Sequence, residues 1–276
     1  MMSLRSEAAM GLNFIDAPAM DVAAPESADD PTPAATPHPT LPVALPPRPH
    51  APSIAPPALF VPTPAGQAAT LGGVSLPVEQ RRVVLRTLDD TEVKGCTQCR
   101  LSETRTQTVF GEGDPAAAIF FVGEGPGETE DQTGRPFVGR AGQLLDKMIA
   151  GMGLAREQVF IANVCKCRPP GNRVPALDEA AACMPYLVRQ IEVVRPQVIV
   201  TLGLTAAKYM LGDNKLAMGR IRGQWHAWRG IRLMPTFHPS YVLRTYTEAT
   251  RKAVWDDLKA VMAEVGLAAP KGRRDA

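Results

Sequence analysis

Five cysteines carry the first recognisable chemistry of this 276-residue chain: Cys96, Cys99, Cys165, Cys167 and Cys183. Cys96-x-x-Cys99 has the spacing at which two thiolates bind one metal or cluster, and Cys167 and Cys183 can supply two more. Four thiolates suit tetrahedral zinc or a [4Fe–4S] cluster. Spacing alone separates neither those two groups nor Cys165 from Cys167, because residues two apart at a strand end point the same way. Unligated buried thiols are the plainer alternative, but "GCTQC" lies in a polar, turn-like stretch. A second feature is "GEGPGETED" at 123–131. Gly123, Gly125 and Gly127 give it the glycine density of a phosphate cradle, yet Glu124, Glu128, Glu130 and Asp131 stand where an anion would sit. A dinucleotide loop reads G-x-G-x-x-G and opens a helix that receives pyrophosphate. The two-residue glycine spacing, Pro126 and the acids all argue against that ligand.

The elements that must position these residues alternate in type. Helices are expected over 78–93, 142–153, 175–196, 204–211 and 247–266, with a break or kink at Pro185 in the third. Strands are expected over 116–123, 158–164, 197–203 and 231–239. These strands are continuous apolar runs, the pattern of a parallel sheet covered on both faces. Sites in such folds lie beyond the carboxyl ends of the strands. "GEGPGETED", "NVCKCRPPGNR", "GLT" and "HPSYVLR" follow the four strands in turn.

Composition divides the chain before position 78. Residues 1–77 hold 16 of the 27 prolines and show neither a helical nor a strand period. Such a segment cannot offset its ordering entropy, so it is expected to be a disordered Pro/Ala-rich arm, either a spacer or a docking site for an unknown partner. The arm has two basic and six acidic residues, leaving 28 basic against 22 acidic over 78–276. That excess is compatible with nucleic acid without requiring it. Residues 268–276 form a basic tail. The first residues lack an apolar signal core and no apolar run approaches a membrane span, so a cytoplasmic, non-membrane protein without a disulfide framework is expected.

Taken together, "GEGPGETED", "GRPFVGRAG", "NVCKCRPPGNRVP" and "HPSYVLR" resemble the ordered motifs of the family 4, iron–sulfur uracil-DNA glycosylases. The likeness runs from about Val93 to about Gly266. It implies a three-layer α/β/α sandwich with a short central parallel sheet over 78–267. It also implies a structural [4Fe–4S] cluster on Cys96, Cys99, Cys167 and Cys183, with Cys165 an additional, non-ligating thiol. The implied partner is uracil-containing DNA, single- or double-stranded, engaged by a monomer.

The resemblance further implies a pocket for a base flipped from the stack. Glu124 and Gly125 would line it, Phe137 would stack on uracil, and Asn163 would read its edge. Uracil offers an acceptor at O4 and a donor at N3–H, which one amide matches; cytosine reverses the pattern. His238 would stabilise charge developing on uracil O2. Glu130 would stand near the sugar or ring, with three roles open: orienting water, favouring a cationic sugar, or blocking the 5-methyl of thymine. Family 1 enzymes carry a water-activating Asp where this chain has Gly125, so water is handled by another group or by electrostatics alone. A covalent branch of the superfamily uses a His in a basic insert, which "CRPPGNRVP" lacks, so turnover is expected. Arg135, Arg140, Arg168, Arg173 and Arg244 are candidates for phosphate contacts, and Tyr241–Leu243 for the gap left by the flipped base. The competing readings are a non-enzymatic iron–sulfur or zinc protein, acting in DNA binding or electron transfer, and a covalent uracil-DNA binder.

Overall fold

A computed structural model describes residues 76–268. The expected arm, up to its last two residues, and the basic tail, apart from residue 268, lie outside the described residues. The chain enters through helix α1 (Val78–Leu88), continues through a π-helical turn (Asp89–Val93) and reaches the short strand β1 (Glu112–Gly113). Then follow β2 (Ile119–Gly123), α2 (Glu128–Thr133), α3 (Arg140–Gly151), β3 (Phe160–Asn163), α4 (Leu177–Val194), β4 (Val198–Leu202) and α5 (Leu204–Leu211). The chain closes with α6 (Met218–Ile221), β5 (His226–Trp228), β6 (Ile231–Thr236), α7 (Pro239–Arg244) and α8 (Glu248–Glu264).

The six strands form one sheet in the order β1-β3-β2-β4-β6-β5. The central four are parallel, as their apolar runs require, while β1 and β5 pair antiparallel at the two edges. The sheet is therefore mixed, and the parallel sheet expected from sequence is its centre. Period-2 alternation splits each central strand between two cores. Phe120 and Val122 face Leu85, Leu88, Leu187 and Ile191 of α1 and α4. Ile119 and Phe121 face Leu145, Met148, Leu258 and Val261 of α3 and α8. That is the three-layer sandwich.

Helix α4 runs unbroken through Pro185, against expectation. Proline removes the bond to the carbonyl four residues back. Ala181 and Pro185 both lie on the exposed face, so that carbonyl can turn to water. Among the described residues, no helix is long and apolar enough to cross a membrane.

Candidate functional site

The order β3-β2-β4 makes β2 the strand from which successive connections leave to opposite sides, and such a switch point opens a crevice beyond the carboxyl ends. Gly123 ends β2, Asn163 ends β3, and His238 follows β6. The β2–β3 pairing continues past the sheet: Val164 N–H donates to Gly123 O (2.9 Å) and Cys165 N–H to Glu124 O (3.0 Å). The acidic glycine loop is thus zipped to the cysteine-bearing segment by backbone bonds.

Three side chains meet in the crevice. A Cβ on Gly123 would lie 2.2 Å from Asn163 Oδ1 and 2.5 Å from Phe137 Cζ, so only glycine leaves room there. The Phe137 and His238 rings stand 5.7 Å apart at 34°. Asn163 is 1 % exposed, and its Oδ1 has no hydrogen-bond partner among the described residues. An unmet buried acceptor costs about 1–3 kcal/mol. The strand end therefore presents an amide oxygen suited to a ligand N–H.

His238 caps α7. Its Nδ1 accepts from Ser240 N–H at 3.1 Å and lies 2.8 Å from Ser240 Oγ. Burial, with the Arg244 charge adding to it and Glu130 opposing, pushes the imidazole down to about 4. The ring is therefore neutral at physiological pH. An accepting Nδ1 assigns the proton to Nε2, which is then a donor.

The four acids of the loop are not alike. Asp131 is buried and accepts from Thr106 N–H, and Glu128 pairs with Arg168 at 3.8 Å. Burial raises the Glu124 carboxyl, against a hydrogen bond with Thr205. Glu130 accepts three backbone N–H groups: Gly127 on Oε2 (3.1 Å), and Val138 (2.9 Å) and Gly139 (2.8 Å) on Oε1. It ties the glycine loop to the turn that carries Phe137. Gly125 backs onto Cys165, whose Cβ would be 3.7 Å from a side chain placed there.

Phe137 sits at φ +50°, a left-handed conformation that costs a non-glycine residue about 1–2 kcal/mol. Its restraint comes chiefly from Arg156, which the sequence did not single out, with Arg135 serving here rather than at a phosphate. Arg156, 13 % exposed, donates to Phe137 O (3.2 Å), Pro136 O, Glu112 Oε1 (2.9 Å) and Asp146 Oδ1 (2.6 Å). Arg135 is bidentate on Glu112, at 2.9 Å for both bonds. Gly142 packs so closely that a Cβ would fall 1.9 Å from Phe137 O. A second supporting network lies under the His238 segment. Asp257 accepts from Thr236 Oγ1 and Arg222, each at 2.7 Å, and burial raises its carboxyl to about 6. Arg222 covers Phe237 (5.4 Å), which stacks on the exposed Tyr241 (4.9 Å).

Arg140 and Arg244 are exposed at the start of α3 and the end of α7. Arg135 and Arg173 are already committed to carboxylates. Arg173 is bidentate on the fully buried Glu179, which Arg100 also grips at 2.6 Å. That carboxyl is held down at about 2, chiefly by its bond to Arg173.

Cys96, Cys99, Cys167 and Cys183 line one cavity together with Arg105, Lys166 and Tyr186. Three N–H groups point at its sulfurs: Gln98 N to Cys96 (3.5 Å), Arg105 Nη1 to Cys167 (3.2 Å) and Lys166 N to Cys183 (3.2 Å). Cys165 is not part of the lining; it hydrogen-bonds Cys183, a bond that lowers the Cys183 thiol to about 7. Among the described residues, no three His, Cys, Asp or Glu side chains are gathered tightly enough for a single metal ion.

The family model of the uracil DNA glycosylase superfamily matches residues 110–259. The chain is 49% identical over 168 residues to the type-4 uracil-DNA glycosylase of Thermotoga maritima, covering 60% of this chain and 88% of that protein. It is 48% identical over 178 residues to the type-4 uracil-DNA glycosylase of Sulfurisphaera tokodaii, covering 62% and 80%.

Proposed function

The chain belongs to the uracil-DNA glycosylase superfamily, among its type-4 members, and we propose that it flips uracil from DNA and hydrolyses the N-glycosidic bond, starting base-excision repair. The observation that carries this reading is the unmet Asn163 Oδ1, buried at the strand end where the Phe137 ring also packs on Gly123. Uracil N3–H satisfies that acceptor, the amide NH₂ reaches O4, and Phe137 covers the ring. Cytosine would set acceptor against acceptor, and a site with buried polar groups rejects such a mismatch strongly.

Bond cleavage sends the glycosidic electron pair to uracil N1, leaving an oxocarbenium-like sugar. Charge spreading to O2 meets the Nε2–H of neutral His238. Water adds at C1′ and loses a proton, uracil gains one, and the products are uracil and an abasic site. Glu130 accepts from three backbone amides that fix it in the loop. It therefore acts as a positioning residue and a fixed negative charge favouring the sugar cation. Glu124 and Gly125 complete the loop against the base. Arg140, Arg244 and Tyr241 reach the DNA, whereas Arg173 braces Glu179.

The same reading includes a [4Fe–4S] cluster on Cys96, Cys99, Cys167 and Cys183. Their convergence on one cavity and the three N–H···S contacts support it. When bound, the cluster ties the segment before β1 to the segment after β3 and to α4; bond cleavage needs no electron from it. Such thiolate ligation belongs in a reducing compartment, the cytoplasm. In this reading the enzyme works as a monomer, with residues 1–77 as an appended arm and 78–267 as the catalytic domain.

The test is incubation with a uracil-containing single-stranded oligonucleotide followed by alkali. Strand cleavage is expected from the wild type and a strong loss from Asn163→Asp. An intact oligonucleotide with wild-type protein overturns the reading, and a denaturation-resistant protein–DNA band would replace it with covalent capture.

A further inference from the structure

Lys166 is used by none of the chemistry above, yet it is the most unusual buried group in the structure. It is 1 % exposed and stands between Cys165 and Cys167. Its ammonium donates to Asn163 O at 2.8 Å and Gln190 Oε1 at 2.6 Å, and its backbone N–H to Cys183 Sγ at 3.2 Å. Gln190, itself fully buried, is anchored in turn on Phe110 O at 2.9 Å. Neither acceptor of the ammonium carries a charge, and among the described residues Lys166 forms no salt bridge. A buried cation without a counter-charge is strongly disfavoured. Lys166 also lines the cysteine cavity, so the thiolates are the anions closest to its surroundings, with the Asp89 carboxylate acting on it as a weaker, unbonded charge. One residue thus touches both halves of the site: its amide bonds a cavity sulfur, and its side chain holds the carbonyl of the residue that reads the base.

We propose that Lys166 is a positioning residue that couples the cysteine-held cluster to uracil recognition, its ammonium balanced by the thiolate-ligated group and clamping the Asn163 backbone. The proposal rests on the [4Fe–4S] reading above. It gives a structural cluster a consequence for base recognition. With the thiolate group present, the ammonium stays dry and Asn163 keeps its register. With the group lost, only the unbonded Asp89 carboxylate still opposes the charge, so the ammonium draws in water and releases the Asn163 carbonyl, and uracil affinity falls while the sheet remains folded.

The experiment uses the full-length, anaerobically prepared protein and three measurements: iron and sulfide per chain, visible absorbance, and calorimetric affinity for free uracil. Lys166→Met is expected to weaken uracil binding about tenfold or more, the size of a lost charge-assisted hydrogen bond, with affinity for an abasic-site oligonucleotide unchanged within about twofold. Gln190→Leu keeps the cation and removes its side-chain acceptor. It is expected to keep its iron and to weaken uracil binding severalfold, and it decides the matter if Lys166→Met fails to load or fold. Chelator removal of iron from the wild type should lower uracil affinity before circular dichroism reports loss of the sheet. Iron-loaded variants that bind uracil like the wild type overturn the coupling alone. A wild-type protein prepared without air that holds no iron overturns the cluster reading, and the coupling with it.

Discussion

Replacing Arg156 with methionine should disable the uracil platform without touching the pocket directly. The change removes four hydrogen bonds from a nearly buried guanidinium. Glu112 keeps its bidentate Arg135, and Asp146, with a side chain 44% exposed, can hydrate. The uncompensated loss is therefore at the carbonyls of Pro136 and Phe137, both buried residues. At about 1–3 kcal/mol for each of the two carbonyls left without a donor, the variant should lose roughly 2–6 kcal/mol. Part of that is recoverable if the turn relaxes Phe137 from φ +50° to a negative φ, releasing about 1–2 kcal/mol. Relaxation, however, swings the ring away from Asn163. The signature is a moderate drop in the urea midpoint combined with a rise in KM, because stacking serves substrate and transition state alike. Arg156→Lys, which keeps charge but not the fork, should restore much of the stability and little of the KM. Denaturant titration and steady-state kinetics on one uracil oligonucleotide suffice. A destabilised Arg156→Met protein with wild-type KM would refute the view that this guanidinium holds the stacking ring in place.

His238→Ala should reduce single-turnover cleavage by about 10²–10³ with a much smaller change in substrate binding, the pattern of a donor used mainly in the transition state. Because burial holds His238 down at about 4 from an ordinary 6.5, the neutral donor persists into acid. Protonation turns Nδ1 from acceptor to donor and leaves Nε2–H in place, so it is the bond from Ser240 N–H that should be lost near pH 4 rather than near 6.5, and stability should fall as pH drops through that window, where the unfolded state takes up the proton first. Gly123→Ala places a methyl 2.2 Å from Asn163 Oδ1; the protein should fold, at a cost of about 1–3 kcal/mol from overpacking, but bind free uracil at least tenfold more weakly by calorimetry. A protein beginning near Leu76 should retain the wild-type cleavage rate, since every residue of the crevice lies beyond that point; a folded but inactive truncation would assign the arm to the enzyme.

The sandwich was legible because β2, β3 and β4 are buried throughout and β6 is buried beyond Arg232, so all four read as largely apolar runs. β1 and β5 are two and three residues long, too short to show any period, so the antiparallel edges were invisible. Helix α2 was hidden inside the acidic glycine loop, since its six residues have no apolar stripe. Of the site, Asn163 and His238 could be suspected as polar residues at strand ends, and the cysteines from their spacing. The roles of Phe137 and Glu130 needed the family motifs. Arg156 was illegible for a different reason. Its partners lie 10, 19, 20 and 44 positions away, and nothing local distinguishes it from the other arginines. Lys166 was obscured by its setting, because a lysine between two cysteines reads as solvated until the fold shows it sealed.

The two short edge strands bear on more than topology. A parallel sheet that ended at β3 or β6 would offer a four- to six-residue row of unpaired amides and carbonyls to any passing extended chain. Instead β1 and β5 take up those rows, and each presents only two or three residues of new edge. The β5–β6 connection turns on Arg229 and Gly230, both at positive φ, which keeps the flanking hairpin tight and bends it back at once. Strand addition between copies is thereby frustrated on both flanks, and this should favour solubility at the high local concentrations a DNA-scanning protein meets when many copies share one polymer.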